Sequence, residues 1–466
     1  MQLKPINLST ISHDIHRPID SVDMSKKEEP FDETSIEVLP EYTAILDALK
    51  EENQAIFVSG KAGTGKSTLI KYLVSKMENC AVIAPTAIAS VNVGGQTIHS
   101  FFSLPIKVLN PDESYNLKSN MKPVIKDLSL LIIDEISMVS PNVIDVMSNS
   151  LKKARGNDLP FGGVNMLFIG DLLQLPPIVN DREVGVFFTH RYDSHYFYSA
   201  DIFKEIDITP VELTKVFRQN DEDFINILNH IRINKNHTRY VEELNQACFY
   251  NKKDNNSAIT LVTTNATAKT INERRLQEID QELMTFHATY TGVLKQRKMH
   301  MPVPDILNLK VGAKIIFMKN GADNLYFNGS LGTIVGFKEE HLLIQLEDSK
   351  NIISVGKESW DKVEYKYNYE AQKIESISLG SFTQYPLSLG WAITIHKSQG
   401  MTIEKINIDL GVRGAFAYGQ TYVALSRCKT LEGITLNHPI SLKDVKADPS
   451  ILEFFARLRF DSVEEE

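Results

Sequence analysis

Residues 60–67 have the composition and the spacing of a loop that binds phosphate groups. Glycines in such a loop let backbone N–H groups turn inward around a polyphosphate, and the start of the following helix adds partial positive charge. The ammonium group of Lys66 would reach the β- and γ-phosphates, and the hydroxyl of Ser67 would ligate Mg²⁺. The predicted nucleotide-binding residues are Gly60, Ala62, Gly63, Thr64, Gly65, Lys66, Ser67 and Thr68.

Two acidic residues follow the apolar run 130–133, which is typical of a buried strand. Beside a phosphate-binding loop, Asp134 would hold the Mg²⁺ shell and Glu135 would polarise an attacking water. Gln174 follows another strand-like run, and its amide can hydrogen-bond to both a γ-phosphate and a water. These groups predict the hydrolysis of a nucleoside triphosphate, although a turn capped by Asp171 is an alternative interpretation of the segment around Gln174.

Short apolar runs alternate with helical patterns along most of the chain, which predicts parallel α/β sheets. Ligands of such sheets bind at the carboxyl ends of the strands, where the groups described above lie. A different pattern, short strands with charged or Gly-rich turns, interrupts the second α/β set and predicts a small antiparallel barrel. The predicted α/β strands cover 55–58, 81–84, 130–133, 166–169, 258–262 and 405–410, and the barrel strands cover 313–319, 331–337, 342–346 and 352–355.

The 466-residue chain is 42% hydrophobic and 23% charged, which is ordinary for several globular domains and excludes a collagen-like or wholly disordered chain. Its aliphatic runs are too short for a membrane span, and its first residues lack the apolar core of a signal peptide. Three scattered cysteines predict free thiols in a reducing compartment. We therefore expect a cytoplasmic protein of a bacterial or phage-like cell, without membrane contact.

The net charge of −9 is concentrated at the two ends of the chain. Residues 1–52 carry −7 and residues 461–466 carry −4, so residues 53–460 are close to +2. The window 285–320 holds six basic residues and one acidic residue, which permits a basic groove for nucleic acid, with an ordinary solvated face as the alternative. The polar residues 1–36 predict a disordered leader.

Six motifs, taken in order, resemble those of superfamily 1 helicases of the 5′-to-3′ group. They are GKAGTGKST, LLIIDEISMV, GDLLQLPP, ELTKVFRQ, AITIHKSQGMT and YVALSRCK. Residues 152–163, KKARGNDLPFGG, resemble the signature of the petite-integration-frequency (PIF) helicases, which are relatives of RecD and Dda. The resemblance covers about residues 38–440.

This resemblance implies an α/β fold of two RecA-like P-loop domains in tandem, with a small wedge insertion in the first and an SH3-like β-barrel insertion in the second. The wedge segment is short and contains proline, so we expect a small protruding hairpin or loop. The implied divisions are a leader at 1–36, a first RecA-like domain at 37–209 with the wedge at about 103–124, a second RecA-like domain at 210–296 and 377–460, the barrel at 297–376 and an acidic tail at 461–466.

The resemblance also implies roles for residues of the cleft between the two domains. Two arginines match the family's arginine fingers, which stabilise charge in the transition state and are worth roughly 10³–10⁵ in rate. Because both would lie on the second domain, hydrolysis would depend on domain closure. The implied catalytic residues are Lys66, Asp134, Glu135, Gln174, Arg218 and Arg427, the metal ligands are Ser67 and Asp134, and Gly400 joins the nucleotide-binding set.

Single-stranded DNA is the implied track of such an enzyme. Hydroxyl groups and backbone amides suit phosphate contacts, and His99 or Phe101 could stack on a base, with core packing as the alternative for Phe101. The residues that match the family's DNA-contact motifs are Pro85, Thr86, His99, Ser100, Phe101, Thr264, Asn265, His396 and Lys397.

One departure from the family pattern concerns the base of the nucleotide. Family members usually carry a glutamine upstream of the phosphate loop that reads adenine, whereas residues 40–43 here are Pro-Glu-Tyr-Thr. Selectivity for ATP over other triphosphates is therefore open.

We expect an ATP- and Mg²⁺-dependent DNA helicase that moves 5′ to 3′, unwinds tailed duplexes or folded DNA, and is a monomer in solution. One alternative is a translocase that displaces proteins or remodels DNA without processive unwinding. Two others are a DNA-binding module with a vestigial ATPase and an unrelated P-loop enzyme such as a small-molecule kinase.

Overall fold

The computed structural model describes residues 37–458, with gaps at 87–88, 91–92, 94, 106, 114, 120, 178–181, 218–220, 236–237, 251–257, 292–302, 320, 322–324, 327–329, 348, 369–372, 400, 402 and 404. The described residues from Leu39 onward belong to one compact unit. The predicted leader at 1–36, the acidic tail at 461–466, Arg218 and Gly400 lie outside the described residues. No helix among the described residues is long and apolar enough to cross a membrane.

The first α/β unit is built on a parallel sheet of six strands in the described part of the chain. These are β1 (Ala55–Gly60), β2 (Cys80–Ala84), β3 (Gln96–Thr97), β4 (Leu130–Ile133), β5 (Asn165–Gly170) and β6 (Thr209–Leu213). The strand order is β3-β2-β4-β5-β1-β6. Every residue of β1, β4 and β5 is buried, as expected for central strands that are covered on both faces.

The helices of this unit lie between its parallel strands along the chain, except for the first, which precedes β1. They are α1 (Pro40–Ala48), α2 (Lys66–Lys76), α3 (Ile98–Phe101), α4 (Met121–Asp127), α5 (Pro141–Arg155) and α6 (Arg182–Arg191), with 3₁₀ turns at Ile136–Met138, Pro160–Gly163, Phe197–Ser199 and Asp201–Lys204. Helix α2 begins directly after Gly65, which has a left-handed φ of 84°. The phosphate loop therefore runs from the end of β1 straight into the start of a helix, as its sequence predicts.

The second α/β unit has its own parallel sheet of four strands in the described part of the chain, which lie in the order Ala392–Thr394 (β18), Ile259–Val262 (β7), Ile406–Asp409 (β19) and Ile434–Leu436 (β20). The remaining described strands are β7 (Ile259–Val262), β8 (Met284–His287), β9 (Thr289–Tyr290), β10 (Ile306–Leu309), β11 (Lys314–Phe317), β12 (Leu331–Lys338), β13 (His341–Leu346), β14 (Ile352–Val355), β15 (Glu358–Asn368), β16 (Lys373–Gln384), β17 (Leu387–Leu389), β18 (Ala392–Thr394), β19 (Ile406–Asp409) and β20 (Ile434–Leu436). The remaining described helices are α7 (Glu222–Ile233), α8 (Thr238–Asn245), α9 (Asn265–Gln277), α10 (Gln420–Ser426) and α11 (Pro449–Arg457), with a π-helical turn at Gln246–Tyr250 and 3₁₀ turns at Ile395–Ser398, Leu431–Gly433 and Leu442–Asp444.

Antiparallel strands interrupt the second unit, as the sequence pattern predicts. Strands β11 to β14 match the four predicted barrel strands and join β17 in a sheet of order β14-β13-β12-β11-β17. Strands β15 and β16 form a long hairpin that also pairs with β9, while β8 pairs with β10. The antiparallel region thus runs from Met284 to Leu389, beyond the predicted limits of 297–376, and its assignment as an SH3-like barrel stays a prediction.

Two segments predicted to lie in the second domain belong structurally to the first unit. Strand β6 pairs with β1, so the first sheet extends to Leu213 rather than ending at 209. Helix α11 also packs there, because Ile451 is part of the first hydrophobic core and the rings of Phe454 and Phe57 are 6.3 Å apart. The sequence shows that α11 has an apolar face, but it does not show which core that face covers.

The predicted wedge segment, 103–124, forms no hairpin among its described residues. Leu104 and Leu109 are buried in the first core, and the side chain of Asn142 on α5 donates a hydrogen bond to the carbonyl of Leu109 at 2.7 Å. These contacts hold this part of the segment against the first unit. The described residues thus match the loop rather than the hairpin, and the strand-separating role stays a prediction.

Candidate nucleotide-binding cleft and nucleic-acid track

Three glycines set the shape of the phosphate loop. Gly63 and Gly65 have left-handed φ values of 82° and 84°, a backbone conformation that favours glycine. A Cβ atom at Gly60 would lie 2.5 Å from the hydroxyl of Thr64, and one at Gly65 would lie 2.5 Å from the hydroxyl of Tyr42. Any larger side chain at these positions would push the loop out of shape, so the glycine spacing is a steric requirement.

The side chain of Lys66 folds back over its own loop. Its ammonium group donates hydrogen bonds to the carbonyl oxygens of Gly60 and Lys61, each at 2.7 Å. Burial lowers the pKa of Lys66, while three nearby carboxylates act in the opposite direction. A phosphate group in the loop would therefore compete with two neutral carbonyls for a buried positive charge.

One pocket brings together predicted residues of both α/β units. It is lined by Ala62, Gly63, Thr64, Gly65, Lys66, Ser67, Thr68, Ala89, Asp134, Glu135, Gln174, Phe217 and Arg427. This set includes every predicted nucleotide-binding and catalytic residue that the structure describes, except Gly60, which lies at the end of β1. Because Arg427 follows α10 of the second unit, the pocket is a cleft between the two units.

Asp134 and Glu135 follow the carboxyl end of β4. Asp134 is 8% exposed, and its Oδ1 accepts a hydrogen bond from the backbone N–H of Glu135 at 2.9 Å. Burial, followed by the charge of Glu135, raises the pKa of Asp134 to about 7. Two adjacent carboxyl groups make this side of the pocket acidic, and such a side suits the binding of a divalent cation.

Two glutamines, Gln174 and Gln399, each bury an Oε1 atom that has no hydrogen-bond partner within the described part of the chain. The amide nitrogen of Gln399, from the second unit, lies 3.4 Å from both Glu135 Oε2 and the hydroxyl of Ser137. Buried polar atoms are nearly always paired, so the two oxygens suit a bound water or ligand. Gln399 was not among the predicted catalytic residues, because only its contact with Glu135 across the cleft identifies it as a residue of the site.

Arg427 is 2% exposed and is held by groups of its own unit. Its guanidinium group donates hydrogen bonds to the carbonyls of Val423 at 2.9 Å and Met401 at 3.3 Å, and to the hydroxyl of Ser426 at 2.8 Å. These contacts fix a positive charge on the wall of the cleft that the second unit forms, opposite the phosphate loop of the first unit. That position suits the predicted arginine finger, whose role stays a prediction.

Sequence reasoning missed two aromatic residues beside the loop. Phe217 lines the pocket with a side chain that is 41% exposed, and its backbone N–H donates to the carbonyl of Gly63 at 2.8 Å. The hydroxyl of Tyr42 donates to the carbonyl of Gly65 at 2.9 Å. The signal for Phe217 was its place beside Arg218 in the fourth motif, and Tyr42 lies in the stretch where the family's glutamine is missing.

In the first unit, the predicted DNA-contact residues follow the neighbouring strands β2 and β3. Pro85 and Thr86 are half-buried, and His99 and Ser100 lie on α3, directly after β3. Phe101 is 4% exposed within the first core, with its ring 5.1 Å from that of Phe102. This packing favours the core alternative for Phe101, because other side chains cover the ring that would have to stack on a base, and its DNA contact stays a prediction.

In the second unit, the predicted DNA-contact residues follow β7 and β18, which are also neighbours. Thr264 and Asn265 are exposed, and the Thr264 hydroxyl caps α9 by accepting a hydrogen bond from a backbone N–H. His396 and Lys397 are half-buried, and burial lowers the pKa of each. The ends of adjacent strands thus bring these motifs together within each unit.

Comparisons with known proteins agree with the two-unit architecture. A profile of the PIF1-like helicase family matches residues 38–241, and a second profile, described as a helicase, matches residues 341–456. The chain is 30% identical over 430 residues to the ATP-dependent DNA helicase Pif1 of Bdellovibrio bacteriovorus, with 90% of this chain and 92% of that protein covered.

Solved structures of Pif1 helicases also resemble this chain. The Pif1 helicase from Bacteroides in complex with ADP-AlF3 and ssDNA matches with a TM-score of 0.80 at 34% identity, over 92% of this chain and 98% of that one. Unliganded Pif1 from Bacteroides sp. gives a TM-score of 0.62 at the same identity and coverage, so this chain superposes better on the structure that contains ssDNA. The two α/β units are RecA-like domains, and the chain belongs to the PIF1-like helicase family.

Proposed function

We propose that this protein is an ATP-dependent DNA helicase that moves 5′ to 3′ along single-stranded DNA and separates duplex or folded DNA ahead of it. The observation that carries the proposal is the cleft, where the phosphate loop of one RecA-like domain and Arg427 of the other line one pocket. A pocket built from two domains changes when the domains move. Binding and hydrolysis of a nucleotide can therefore drive a cycle of closing and opening.

Each group in the cleft has a role in the proposed hydrolysis. When ATP binds, the Lys66 ammonium exchanges two loop carbonyls for phosphate oxygens. Glu135 accepts a proton from the attacking water, and Gln174 orients that water through its amide. Arg427, together with Arg218, stabilises the charge that develops on the γ-phosphate.

Ser67 and Asp134 would hold Mg²⁺ in this cleft. Among the described residues, no group of three or more His, Cys, Asp or Glu side chains is placed to bind a metal. That absence fits Mg²⁺, which is usually held by one or two carboxylates together with phosphates and water. The ion would neutralise negative charge on the β- and γ-phosphates.

The base of the nucleotide would contact the partly exposed ring of Phe217 at the pocket wall. Stacking on an aromatic ring is worth about 1–3 kcal/mol per base and does not distinguish one base from another. The hydroxyl of Tyr42 is engaged with the carbonyl of Gly65. This arrangement supports ATP as a substrate with weak discrimination against other purine triphosphates.

The DNA track would cross the carboxyl edges of both parallel sheets. Hydroxyl groups of Thr86, Ser100 and Thr264 suit phosphate contacts, while the half-buried ring of His99 suits a base. Such neutral contacts explain how a chain with a net charge of −9 can hold DNA. Opening DNA costs about 1.4 kcal/mol per base-pair step, so sustained unwinding needs the free energy of hydrolysis.

The finer domain assignments belong to this proposal. We assign the five-stranded antiparallel sheet and the separate β15–β16 hairpin to the SH3-like insertion, and the separation of the two DNA strands to the loop at 103–124. The Bacteroides relative was solved with ssDNA, and the closer match to that structure supports a DNA-binding arrangement of the two domains. We expect a monomer in solution that acts in the cytoplasm.

The deciding experiment is strand separation with ATP and Mg²⁺ on two matched duplexes, one with a 5′ single-stranded tail and one with a 3′ tail. Unwinding of the 5′-tailed duplex alone is the expected result. Unwinding from the 3′ tail alone would contradict the polarity. Strong DNA-stimulated hydrolysis without unwinding would favour a translocase, an outcome consistent with the packing of Leu104 and Leu109 into the first core.

A further inference from the structure

Helix α10 of the second RecA-like domain reaches the phosphate loop of the first. The hydroxyl of Tyr422 accepts a hydrogen bond from the backbone N–H of Ala62 at 3.0 Å. Both residues are buried, and Ala62 belongs to the hydrophobic cluster of the second domain rather than that of its own. One backbone group of the phosphate loop is thus held by a side chain of the opposite domain.

The same hydroxyl faces the carboxylate of Asp171, which follows β5. Burial, followed by the charge of Asp171, raises the pKa of the Tyr422 hydroxyl, so Tyr422 is a neutral phenol. Its oxygen accepts from Ala62, which leaves its proton to interact with Asp171. Asp171 of the first domain therefore lies next to the phosphate loop and contacts Tyr422 of the second domain.

Asp171 has a second partner across the cleft. Its carboxylate, which has no exposed surface, accepts hydrogen bonds from Arg232 Nε at 3.1 Å and from Arg232 Nη2 at 2.8 Å. Arg232 lies on α7 of the second domain and is 5% exposed. A buried charge pair of this kind is stable only while both partners are in place.

These contacts form one chain, from Ala62 through Tyr422 and Asp171 to Arg232, in which each of the three contacts crosses the cleft. Tyr422 lies on α10 and Arg427 directly follows it, so one movement of α10 displaces both. If the cleft opens, the Ala62 N–H loses its partner and this part of the loop is free to change shape. Closure would then act on the loop itself, in addition to bringing an arginine to the γ-phosphate.

We propose that Tyr422 is a positioning residue for ATP hydrolysis, which holds the phosphate loop in its reactive shape only while the two domains are closed. The inference rests on the proposed ATPase function. Tyr422 does not line the nucleotide pocket, so it acts through Ala62 and not on the substrate. It links domain closure to the geometry of the loop.

The test is Tyr422→Phe, which keeps the ring and removes the hydroxyl. Tyr196→Phe is the matched control, because Tyr196 is 1% exposed against 2% for Tyr422 and its hydroxyl donates to Asp448 at 2.8 Å, outside the pocket. For Tyr422→Phe we expect the DNA-stimulated kcat to fall about tenfold, with the KM for ATP and the Kd for ADP within about threefold of wild type. Tyr196→Phe should keep the wild-type kcat.

Three outcomes would overturn the positioning role. They are an unchanged kcat in Tyr422→Phe, an equal loss in Tyr196→Phe, and a loss of ADP affinity as large as the loss of kcat. If Tyr422→Phe does not fold, Arg232→Lys tests the same chain, since it keeps the charge but not the two-point contact with Asp171; a normal kcat there would also overturn the proposal. A wild-type protein without DNA-stimulated hydrolysis would instead contradict the proposed function.

Discussion

Gly419, at the start of α10, lies against the backbone carbonyl of Gln174 so closely that a Cβ atom would be 2.5 Å from its oxygen. The carbonyl oxygen of Leu173 would be equally close. Gly419 also has a left-handed φ of 68°, which favours glycine on conformational grounds. The second RecA-like domain thus rests on the segment that carries Gln174, and the absence of a side chain allows that contact.

Gly419→Ala should hold the cleft partly open, because the added methyl group meets two backbone carbonyls that cannot move aside. We expect the DNA-stimulated kcat to fall by about tenfold or more, since Tyr422 lies on α10 and Arg427 directly after it. Gly411→Ala is the control, because Gly411 has a similar φ of 67° and a Cβ there meets nothing within 4 Å. Equal losses of kcat in the two variants would attribute the effect to backbone strain and contradict the steric explanation.

Glu135→Gln should abolish hydrolysis while retaining ATP, because the amide keeps the shape of the carboxylate but cannot accept the proton. General-base losses of this kind are about 10²–10⁴-fold in kcat. Steady-state hydrolysis with saturating single-stranded DNA measures the loss, and binding of a fluorescent ATP analogue measures retention.

Lys66→Ala should lose both hydrolysis and nucleotide affinity. Near-normal turnover in either variant would refute the site assignment.

Arg427→Lys should separate nucleotide binding from turnover. The lysine keeps a positive charge but cannot reproduce the set of hydrogen bonds that holds the guanidinium, so its alignment on the γ-phosphate is lost. We expect kcat to fall by roughly 10²-fold or more with ADP affinity nearly unchanged. Arg218→Ala should behave in the same way. Parallel losses of ADP affinity and kcat would show that these arginines bind the ground state instead.

Phe217→Ala should raise the KM for ATP and for GTP by similar factors, because a stacked ring holds either purine. Removing a base-stacking aromatic costs about 1–3 kcal/mol, which corresponds to roughly 5- to 150-fold in KM. The wild-type protein should use both nucleotides with kcat/KM values within about tenfold of each other. Measuring both nucleotides on both proteins tests this, and a change confined to ATP would reveal a base-specific contact.

Acidification should destabilise the wild-type protein relative to His99→Gln. Burial lowers the pKa of His99 below its usual 6.5, so the unfolded chain takes up a proton more readily than the folded chain. The stability associated with neutral His99 is present above that usual pKa and is lost as the pH falls towards the lower, folded-state value. Urea unfolding of both proteins at about pH 7.5 and about pH 5.5 tests the sign. If the difference in the free energy of unfolding between the two proteins is the same at both pH values, a contribution from His99 is excluded.

The part of the site that sequence reasoning found is the part encoded in short contiguous segments. The phosphate loop, Asp134, Glu135 and Gln174 each follow a buried apolar strand, so their positions at the carboxyl edge follow from strand direction alone. The same reasoning placed both parallel sheets and the antiparallel interruption. Local pattern and local geometry agree at these positions.

The residues that were missed depend on contacts between distant segments. Tyr422 meets Ala62 across 360 positions of sequence, and Gln399 meets Glu135 across 264. The sequence left Phe101 between base stacking and core packing, because an apolar ring next to a DNA motif has the same sequence signature whether it faces the core or the solvent, and the structure packs this ring in the first core. In each case tertiary packing determines the role of the side chain, and the spacing of residues along the chain does not predict that packing.

The return of the chain to the first RecA-like domain has a mechanical consequence. The second domain is joined to the first by a crossing after β6 and by another before α11, which is anchored by Ile451 in the first hydrophobic core. A body attached by one strand can swivel freely, whereas one attached by two strands resists torsion and mainly flexes. The paired tether would therefore restrict twisting between the two domains during each ATP cycle and leave flexing, which closes and opens the cleft, as the main movement.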